Sequence, residues 1–181
     1  MANVKKVGGA AGAICAVASV IAVVISNGNV RTNERGLELI GNAEACRRDP
    51  YVCPAGVLTN GIGNTHDVQP GVRLSDEQIA KDWERNIKVA EQCIDRYFRG
   101  KEMLNNTFSA MTSAAFNMGC YSLRFYGSPA KETTIHRMAA QRNWKQMCER
   151  LPDFVNAGGV KLPGLVTRRN NERALCLDGL K

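Results

Sequence analysis

The chain has 181 residues, of which 44% are apolar and 23% are charged, and its formal net charge is +7. This length suits one ordinary domain, and the composition excludes a fully disordered or collagen-like chain. A polytopic membrane protein is also excluded, because the sequence contains a single long uncharged window. The positive charge favours an acidic partner without distinguishing nucleic acid, anionic lipid and a carboxylate-rich polymer.

The N-terminal segment has the length of a membrane span but a weakly apolar composition. Two lysines precede the uncharged residues 7–25, whose 19 positions come close to the roughly 20 needed to cross a bilayer. Glycine, alanine and serine make up much of this window, so insertion is only weakly favoured. It can be a signal peptide cleaved near residues 16–18, a permanent anchor packed through Gly8 and Gly12, or a temporary anchor, which we favour. In each case the remainder is exported.

The number of cysteines agrees with export to an oxidising compartment. None of them has the CxxC spacing that is typical of a zinc site. There are seven, an odd number, so at least one sulfur stays outside intramolecular pairs. They are Cys15, Cys46, Cys53, Cys93, Cys120, Cys148 and Cys176.

The exported part begins with a predicted helix and a predicted β element. Thr32 or Asn33 can cap a helix that ends near Glu44, with apolar residues on one face. Residues 47–65 are rich in valine, threonine, proline and glycine and contain two turn signals. These features predict a small sheet.

The rest of the chain is predicted to be helical with short breaks. Ser75 and Gln78 form a capping-box pattern that opens a helix extending to about residue 98. Its apolar positions recur with helical spacing at Ile79, Trp83, Ile87 and Ile94. Further helices are expected at 104–118, 132–140, 144–151 and 167–177. The predicted fold class is therefore α+β, a small sheet lobe plus a mainly helical lobe, preceded by one N-terminal membrane helix.

One constellation of polar residues stands between the first helix and the β element. Glu44, Cys53 and Thr59 form the spacing E-x8-C-x5-T, and the threonine opens the run TNGIGNT at 59–65. Such a spacing also arises by chance, and Cys53 could be half of a structural disulfide. The rest of the chain must therefore decide its meaning.

Two later segments extend this pattern. They are AAFNMG at 114–119 and GLVTRR at 164–169, the second followed by Glu172 and Cys176. Together with the first motif they resemble the signature of the phage-type lysozymes, glycoside hydrolase family 24, over residues 31–178. With its weakly apolar start and a cysteine at the second position, the chain resembles in particular the signal-arrest-release endolysins of tailed coliphages.

The resemblance implies an enzyme that hydrolyses the β-1,4 bond between N-acetylmuramic acid and N-acetylglucosamine in peptidoglycan and lyses the host. Glycoside cleavage needs a carboxyl that keeps its proton near neutral pH and a second group on the opposite face of the sugar. The resemblance assigns these roles to Glu44 and Cys53, with Thr59 holding the water. Arg168 or Arg169 is expected to face the carboxyl or the polymer, and we assign substrate binding to Arg168.

The resemblance also implies a location and partners. The protein is expected first as a single-pass protein of the host inner membrane with its catalytic domain in the periplasm, and later as a soluble periplasmic enzyme. Its partners are peptidoglycan and, transiently, the membrane, with no nucleic acid, cofactor or metal, and a monomer is expected. Residues 1–30 then form the membrane segment and residues 31–181 the lysozyme domain.

A thiol at the second catalytic position needs help to ionise. An ordinary cysteine has a pKa of about 8.5 and is mostly neutral at pH 7. Arg47 and Arg48 lie close to Cys53 in sequence and could favour the thiolate.

The position of Cys15 predicts a switch. It lies ten residues before Ile25, roughly 15 Å deep in a membrane helix. A disulfide needs Cα atoms about 4.4–6.8 Å apart, so embedded Cys15 cannot reach an exported cysteine, and Cys46 and Cys53 could bond to each other. After release, the Cys15 thiolate could attack Cys46 and expel Cys53. The resemblance implies this order of events, with loss of the membrane potential as the trigger.

The four remaining cysteines allow three pairings, of which we favour Cys93–Cys120 and Cys148–Cys176. The alternative to the switch is that Cys15 is simply a small apolar residue of the membrane segment.

Two rival functions remain open on the sequence. A cysteine peptidase of wall peptides could use Cys53 with His66 or His136, and a membrane-tethered protein could bind the wall without catalysis. The family gives neither histidine a catalytic role, so both are expected to lie at the surface or in internal hydrogen bonds. The methionines at 103, 111, 118 and 138 are expected to fill core space.

Overall fold

The computed structural model describes residues 14–44, 46–53 and 56–181. Within these ranges the chain forms eight α-helices and three two-stranded antiparallel sheets. The helices are α1 (Val17–Asn27), α2 (Glu34–Gly41), α3 (Asp76–Tyr97), α4 (Asn105–Met118), α5 (Cys120–Arg124), α6 (Thr134–Ala140), α7 (Trp144–Glu149) and α8 (Pro163–Asp178). The strands are β1 (Cys46–Val52), β2 (Leu58–Ile62), β3 (Phe125–Tyr126), β4 (Lys131–Glu132), β5 (Asn156–Ala157) and β6 (Val160–Lys161). The predicted α+β class is confirmed.

Helix α2 begins at one of its two predicted caps and ends before its predicted end. The Asn33 side chain accepts a hydrogen bond from the backbone N–H of Gly36 at 3.1 Å, whereas Thr32 donates to a buried carboxylate of α3 instead. The helix ends at Gly41, so Glu44 lies in the bend after it rather than in its last turn. At Gly41 an added Cβ would lie 2.5 Å from Val17, so this end of α2 packs closely against α1.

Helix α3 joins two hydrophobic clusters. Its first half packs Ile79, Trp83 and Ile87 with α1, α2 and β2, and its second half packs Ile94 with the later helices. All four residues are almost completely buried, as their spacing predicted. The predicted cap is also confirmed, because the Ser75 side chain accepts from the backbone N–H of Gln78 at 3.2 Å.

The helical lobe forms around the second cluster and is cross-linked twice. A disulfide joins Cys93 to Cys120, between α3 and α5, and another joins Cys148 to Cys176, between α7 and α8. These are the two pairs that we favoured among the three possibilities. Each closes a loop of nearly 30 residues, which in the chain-entropy model stabilises the fold by about 3–4 kcal/mol. The four methionines lie in this cluster or pack against it, as expected.

Three parts of the helical lobe differ from the sequence prediction. Helix α5 and the hairpins β3–β4 and β5–β6 were not predicted, because segments of five and two residues are too short to show a period. Helix α8 begins at Pro163, four residues earlier than expected, since proline suits the first turn of a helix. His136 is internally hydrogen-bonded as expected, through Nε2 to the carbonyl of Tyr97 at 2.9 Å, and its Nδ1 lies 2.8 Å from Oε1 of Glu132.

The described part of the N-terminal window packs against the body of the fold. Val20, Ile21 and Val24 of α1 are buried against α2 and α3. Beyond α1, Asn27 and Asn29 donate to the two carboxylate oxygens of Glu84 at 2.6 and 2.9 Å. Residues 7–13 of the predicted membrane window lie outside the described residues. In the part of the chain that the structure describes, no helix has both the length and the hydropathy to cross a bilayer.

We expect Val24→Ala to lower the free energy of unfolding by about 1–3 kcal/mol, because it removes fully buried methyl groups and leaves a cavity. The measurement is denaturant unfolding of the protein with its disulfides intact. The matched control is Val89→Ala on α3, whose side chain is 64% exposed and which should change stability by less than about 0.5 kcal/mol. Equal effects of the two substitutions would contradict the packing of α1 on the body.

Candidate active site

Glu44 stands at the junction of α2, the β1–β2 hairpin and α8. Its side chain is 27% exposed, and its Oε1 accepts a hydrogen bond from Nη1 of Arg168 at 3.1 Å. Arg168 is buried, so this guanidinium reaches the carboxylate from the protein interior. Of the two expectations for this arginine, the structure therefore shows the contact with the carboxyl.

The turn after β2 passes directly against the same carboxylate. Gly63 has a φ of +67°, in the region that favours glycine, and an added Cβ would lie 3.5 Å from Glu44 Oε2. The next residue, Asn64, is buried, and its Oδ1 accepts from the side chains of Arg85 and Asn86 on α3 at 3.1 and 3.2 Å. The run TNGIGNT therefore serves to hold a glycine against Glu44.

The β1–β2 hairpin carries Tyr51 and Thr59 on one face, because the two residues pair directly in the register. Cys53 follows directly after β1, and its backbone N–H donates to the carbonyl of Val57 at 2.9 Å. Its charge acts on Tyr51, so Cys53 lies near this face. The Thr59 hydroxyl is buried and donates to the carbonyl of Val57 at 3.0 Å, which leaves its oxygen lone pairs as acceptors.

Tyr51 is a residue of this face that sequence reasoning missed. Burial raises the pKa of Tyr51, the guanidinium of Arg47 opposes that rise, and the negative charges of Cys53 and Glu44 add to it. Arg47 lies over the tyrosine ring, with its Cζ 4.4 Å from the ring centroid. The sequence signal for Tyr51 was its position in a predicted strand, two residues before Cys53.

The two arginines proposed to assist Cys53 have different surroundings. Arg47 contacts Tyr51 on the hairpin, whereas Arg48 turns toward α3, where it pairs with Asp76 at 2.7 Å. Arg47 is therefore the cation that the structure places near this face.

Two cavities flank the contact between Glu44 and Gly63. The larger, about 1080 Å³, lies between α2 and α8 and includes Glu44, Asn117 and Arg168 in its walls. The smaller, about 240 Å³, lies on the side of Gly63 and is lined by His66 and Phe116 among others. Phe116 of the smaller cavity and Asn117 of the larger are consecutive residues of α4.

A third disulfide joins the N-terminal segment to the hairpin beside this site. Cys15 and Cys46 are bonded, with Cα atoms 5.2 Å apart, and the backbone N–H of Cys15 donates to the carbonyl of Cys46 at 3.3 Å. Ile14 forms an antiparallel bridge to Arg47, so the segment before α1 lies along the edge of β1. Cys53 lies outside the three disulfides.

In residues 14–44, 46–53 and 56–181, no three histidine, cysteine, aspartate or glutamate side chains are grouped so that they could hold a metal ion.

Comparison with known proteins identifies the class. Residues 41–172 match the phage lysozyme family, so the chain belongs to that family and is a glycoside hydrolase of the lysozyme type. It is 64% identical over 179 residues to the SAR-endolysin of Escherichia phage P1, a match that covers 97% of each chain. The SAR-endolysin of Haemophilus phage HP1 is 45% identical over 151 residues, 81% of each chain.

Two solved structures represent different states of one relative. The active form of the P1 phage endolysin Lyz has a TM-score of 0.90 and 64% identity to this chain, covering 94% of it and 98% of that chain. The secreted inactive form has a TM-score of 0.62 and 60% identity, covering 83% of this chain and 97% of that chain. The fold described here is therefore more similar to the active form.

We expect Gly63→Ala to lower kcat about 10-fold, because alanine is strained at a φ of +67° and a turn that shifts to relieve this strain displaces the Glu44 carboxylate, which the new methyl group contacts at 3.5 Å. The control is Gly71→Ala, which has a similar φ of +75° but nothing within 4 Å of its added Cβ. Both substitutions should lower stability by about 1–2 kcal/mol through backbone strain, and only the first should lower kcat. Equal kcat values for the two variants would show that Gly63 does not act on Glu44.

Proposed function

We propose that this protein is a phage endolysin that hydrolyses the β-1,4 bond between N-acetylmuramic acid and N-acetylglucosamine in peptidoglycan. One observation carries the proposal. The carboxyl of Glu44 lines the larger cavity, pairs with a buried arginine and lies against Gly63, which follows the strand that carries Thr59. This arrangement supplies an acid on one side of a bound polymer and a thiol with a hydroxyl on the other.

The reaction uses the three residues in distinct roles. Glu44 gives its proton to the glycosidic oxygen of the departing N-acetylglucosamine while positive charge develops at C1 of N-acetylmuramic acid. A water molecule then adds to C1 from the opposite face and gives a proton to the Cys53 thiolate, while Thr59 orients the water through its oxygen lone pairs. The proton on Cys53 passes to solvent and Glu44 takes one up, which restores both groups.

The two rival functions have less support. In a cysteine peptidase a histidine must activate the thiol, but both ring nitrogens of His136 are engaged by Tyr97 and Glu132. His66 lines the smaller cavity, where it can contact a bound polymer. Membership of a lysozyme family favours the glycosidase over both the peptidase and a wall-binding protein without catalysis.

We also propose that the protein exists in two states. In the first, residues 1–30 hold it in the host inner membrane, the domain 31–181 faces the periplasm, and a Cys46–Cys53 disulfide blocks the catalytic sulfur. In the second, the released segment packs as α1 and the protein is a soluble periplasmic monomer. The Cys15–Cys46 disulfide and the greater similarity to the active relative support the assignment of this structure to the second state.

The conversion between the states is a thiol–disulfide exchange that needs no external oxidant. The Cys15 thiolate attacks the sulfur of Cys46, the Cys46–Cys53 bond breaks, and the electron pair leaves with Cys53 as a thiolate. One disulfide is lost and one is formed. The sulfur that leaves is the one that catalysis requires.

Glu44→Gln tests the reaction. We expect it to lower the rate of purified sacculus digestion about 10²- to 10⁴-fold, because the amide cannot donate the proton. Products are assayed for reducing muramic ends and for free peptide amines. The control is Glu102→Gln, a surface carboxylate paired with Arg99 and Arg142, which should leave the rate unchanged. Full activity of Glu44→Gln, or new peptide amines in the wild-type digest, would refute a muramidase.

Cys15→Ser tests the switch. The exported variant should be inactive and contain a Cys46–Cys53 peptide by mass spectrometry, and dithiothreitol should restore its activity. Cys15→Ser/Cys46→Ser is the matched control, because Cys53 then has no partner for the inhibitory bond and the enzyme should be active without reductant. An active single variant would contradict the switch.

A further inference from the structure

A cluster of charged side chains is buried behind the active site on α8. Glu172 and Arg169 have no exposed surface, and Arg168 is 7% exposed. Glu172 Oε1 accepts from Nε of Arg168 at 3.2 Å and from the hydroxyl of Ser113 on α4 at 2.7 Å. Its Oε2 forms an ion pair with Nη1 of Arg169 at 2.8 Å. Glu172 therefore lies between two guanidinium groups.

This cluster is a poor means of stabilising the fold. Burial raises the pKa of Glu172 and lowers the pKa of Arg169, so burial disfavours the charged form of each group. Nη2 of Arg168 and Nε of Arg169 are buried without a hydrogen-bond partner among the described residues. Buried ion pairs often stabilise a protein no more than apolar residues of the same volume, and unpaired buried donors are costly. Stability alone does not account for the cluster.

The two arginines connect Glu172 to the cleft at two points. Arg168 contacts Glu172 through Nε and Glu44 through Nη1, so the anchor at one end of the planar guanidinium sets the direction of the other. Arg169 donates from Nη2 to Oδ1 of Asn117 at 2.6 Å, and Asn117 lines the larger cavity. One buried carboxylate thus fixes two groups of the cleft wall.

We propose that Glu172 is a positioning residue of the enzyme, which through Arg168 orients the carboxyl of Glu44 and through Arg169 orients the amide of Asn117. The proposal rests on the proposed role of Glu44 as the acid. Glu172 is buried beneath the groups that it holds, so it acts through them and not by contact with substrate.

The charges around Glu44 determine the expected pH effect. Arg168 pairs with Glu44, and Arg35 and Glu38 line the same cavity. On the hairpin, the charges of Glu44, Arg47 and Cys53 all act on Tyr51. Glu172 lies behind Arg168 and contacts its guanidinium, and helix α4 contributes no titratable group. If Glu172 loses its charge, the guanidinium that faces Glu44 has one counter-charge fewer. This change favours the carboxylate over the acid in the active site, so we expect the variant to lose activity at lower pH than the wild type.

Glu172→Gln tests the proposal in the purified, disulfide-intact enzyme. We expect kcat to fall about 10- to 100-fold with a smaller change in KM, because the acid is misdirected rather than removed. The alkaline limb of the pH–activity profile should move about half to one unit toward lower pH. A loss of thermal stability with an unchanged pH profile would overturn the proposal, because a purely structural role lowers only the folded fraction.

Ser113→Ala is the second variant, for the case that Glu172→Gln does not fold. Loss of the hydroxyl donor favours the neutral form of Glu172, so the alkaline limb should move in the same direction by less. The control is Glu91→Gln, another buried carboxylate, which accepts from Thr32 and contacts no residue of the site; its pH profile should match wild type. If Ser113→Ala also leaves the profile unchanged, Glu172 does not position Glu44.

The failure of this proposal is distinguishable from the failure of the proposed function. If Glu44→Gln is inactive and Glu172→Gln keeps the wild-type kcat and profile, Glu44 remains the acid and only the positioning role is lost. If Glu44→Gln is active, the acid itself has been misassigned, and the positioning role falls with it.

Discussion

The disulfide between Cys15 and Cys46 is the constraint on which the site depends. It ties the segment before α1 to the first residue of β1, two residues after Glu44 in the chain. In the same structure α1 buries Val20 and Val24 against α2 and α3. The covalent bond and the apolar contact act together. The bond restricts the conformations of the unpacked segment, so less conformational entropy is lost when α1 packs on one face of the body.

The consequence for Glu44 is mechanical. Helix α2 ends at Gly41, where α1 packs closely, and Glu44 follows in a bend rather than in regular helix. A residue in a bend is not oriented by its own helix, so tertiary contacts must orient it. Arg168 supplies one contact from the interior, and Gly63 supplies another from the hairpin. The carboxyl is therefore oriented by contacts from two segments outside α2, namely α8 and the turn after β2.

The two sides of the junction around Glu44 differ in burial and in charge. The hairpin brings Cys53, Tyr51 and Arg47 to the outer side, where solvent and polymer can reach them. Helix α8 brings its charges to the inner side, where burial makes each of them costly without a partner. Such an arrangement orients side chains at a cost in folding stability, which is typical of functional sites rather than of cores.

The linear sequence was sufficient to predict the fold class and the cap and apolar face of α3, because these depend on local spacing. Glu44, Cys53 and Thr59 became candidates through the family resemblance of three separate motifs. The predicted end of α2 near Glu44 was wrong, and the hairpins β3–β4 and β5–β6 were not predicted, because such short segments have no period. Only the tertiary structure decided which arginine faces Glu44, which cysteines are joined and why Glu172 is buried. Those features depend on contacts between α2, β1 and α8, and the distance between such segments in space is not encoded by their separation along the chain.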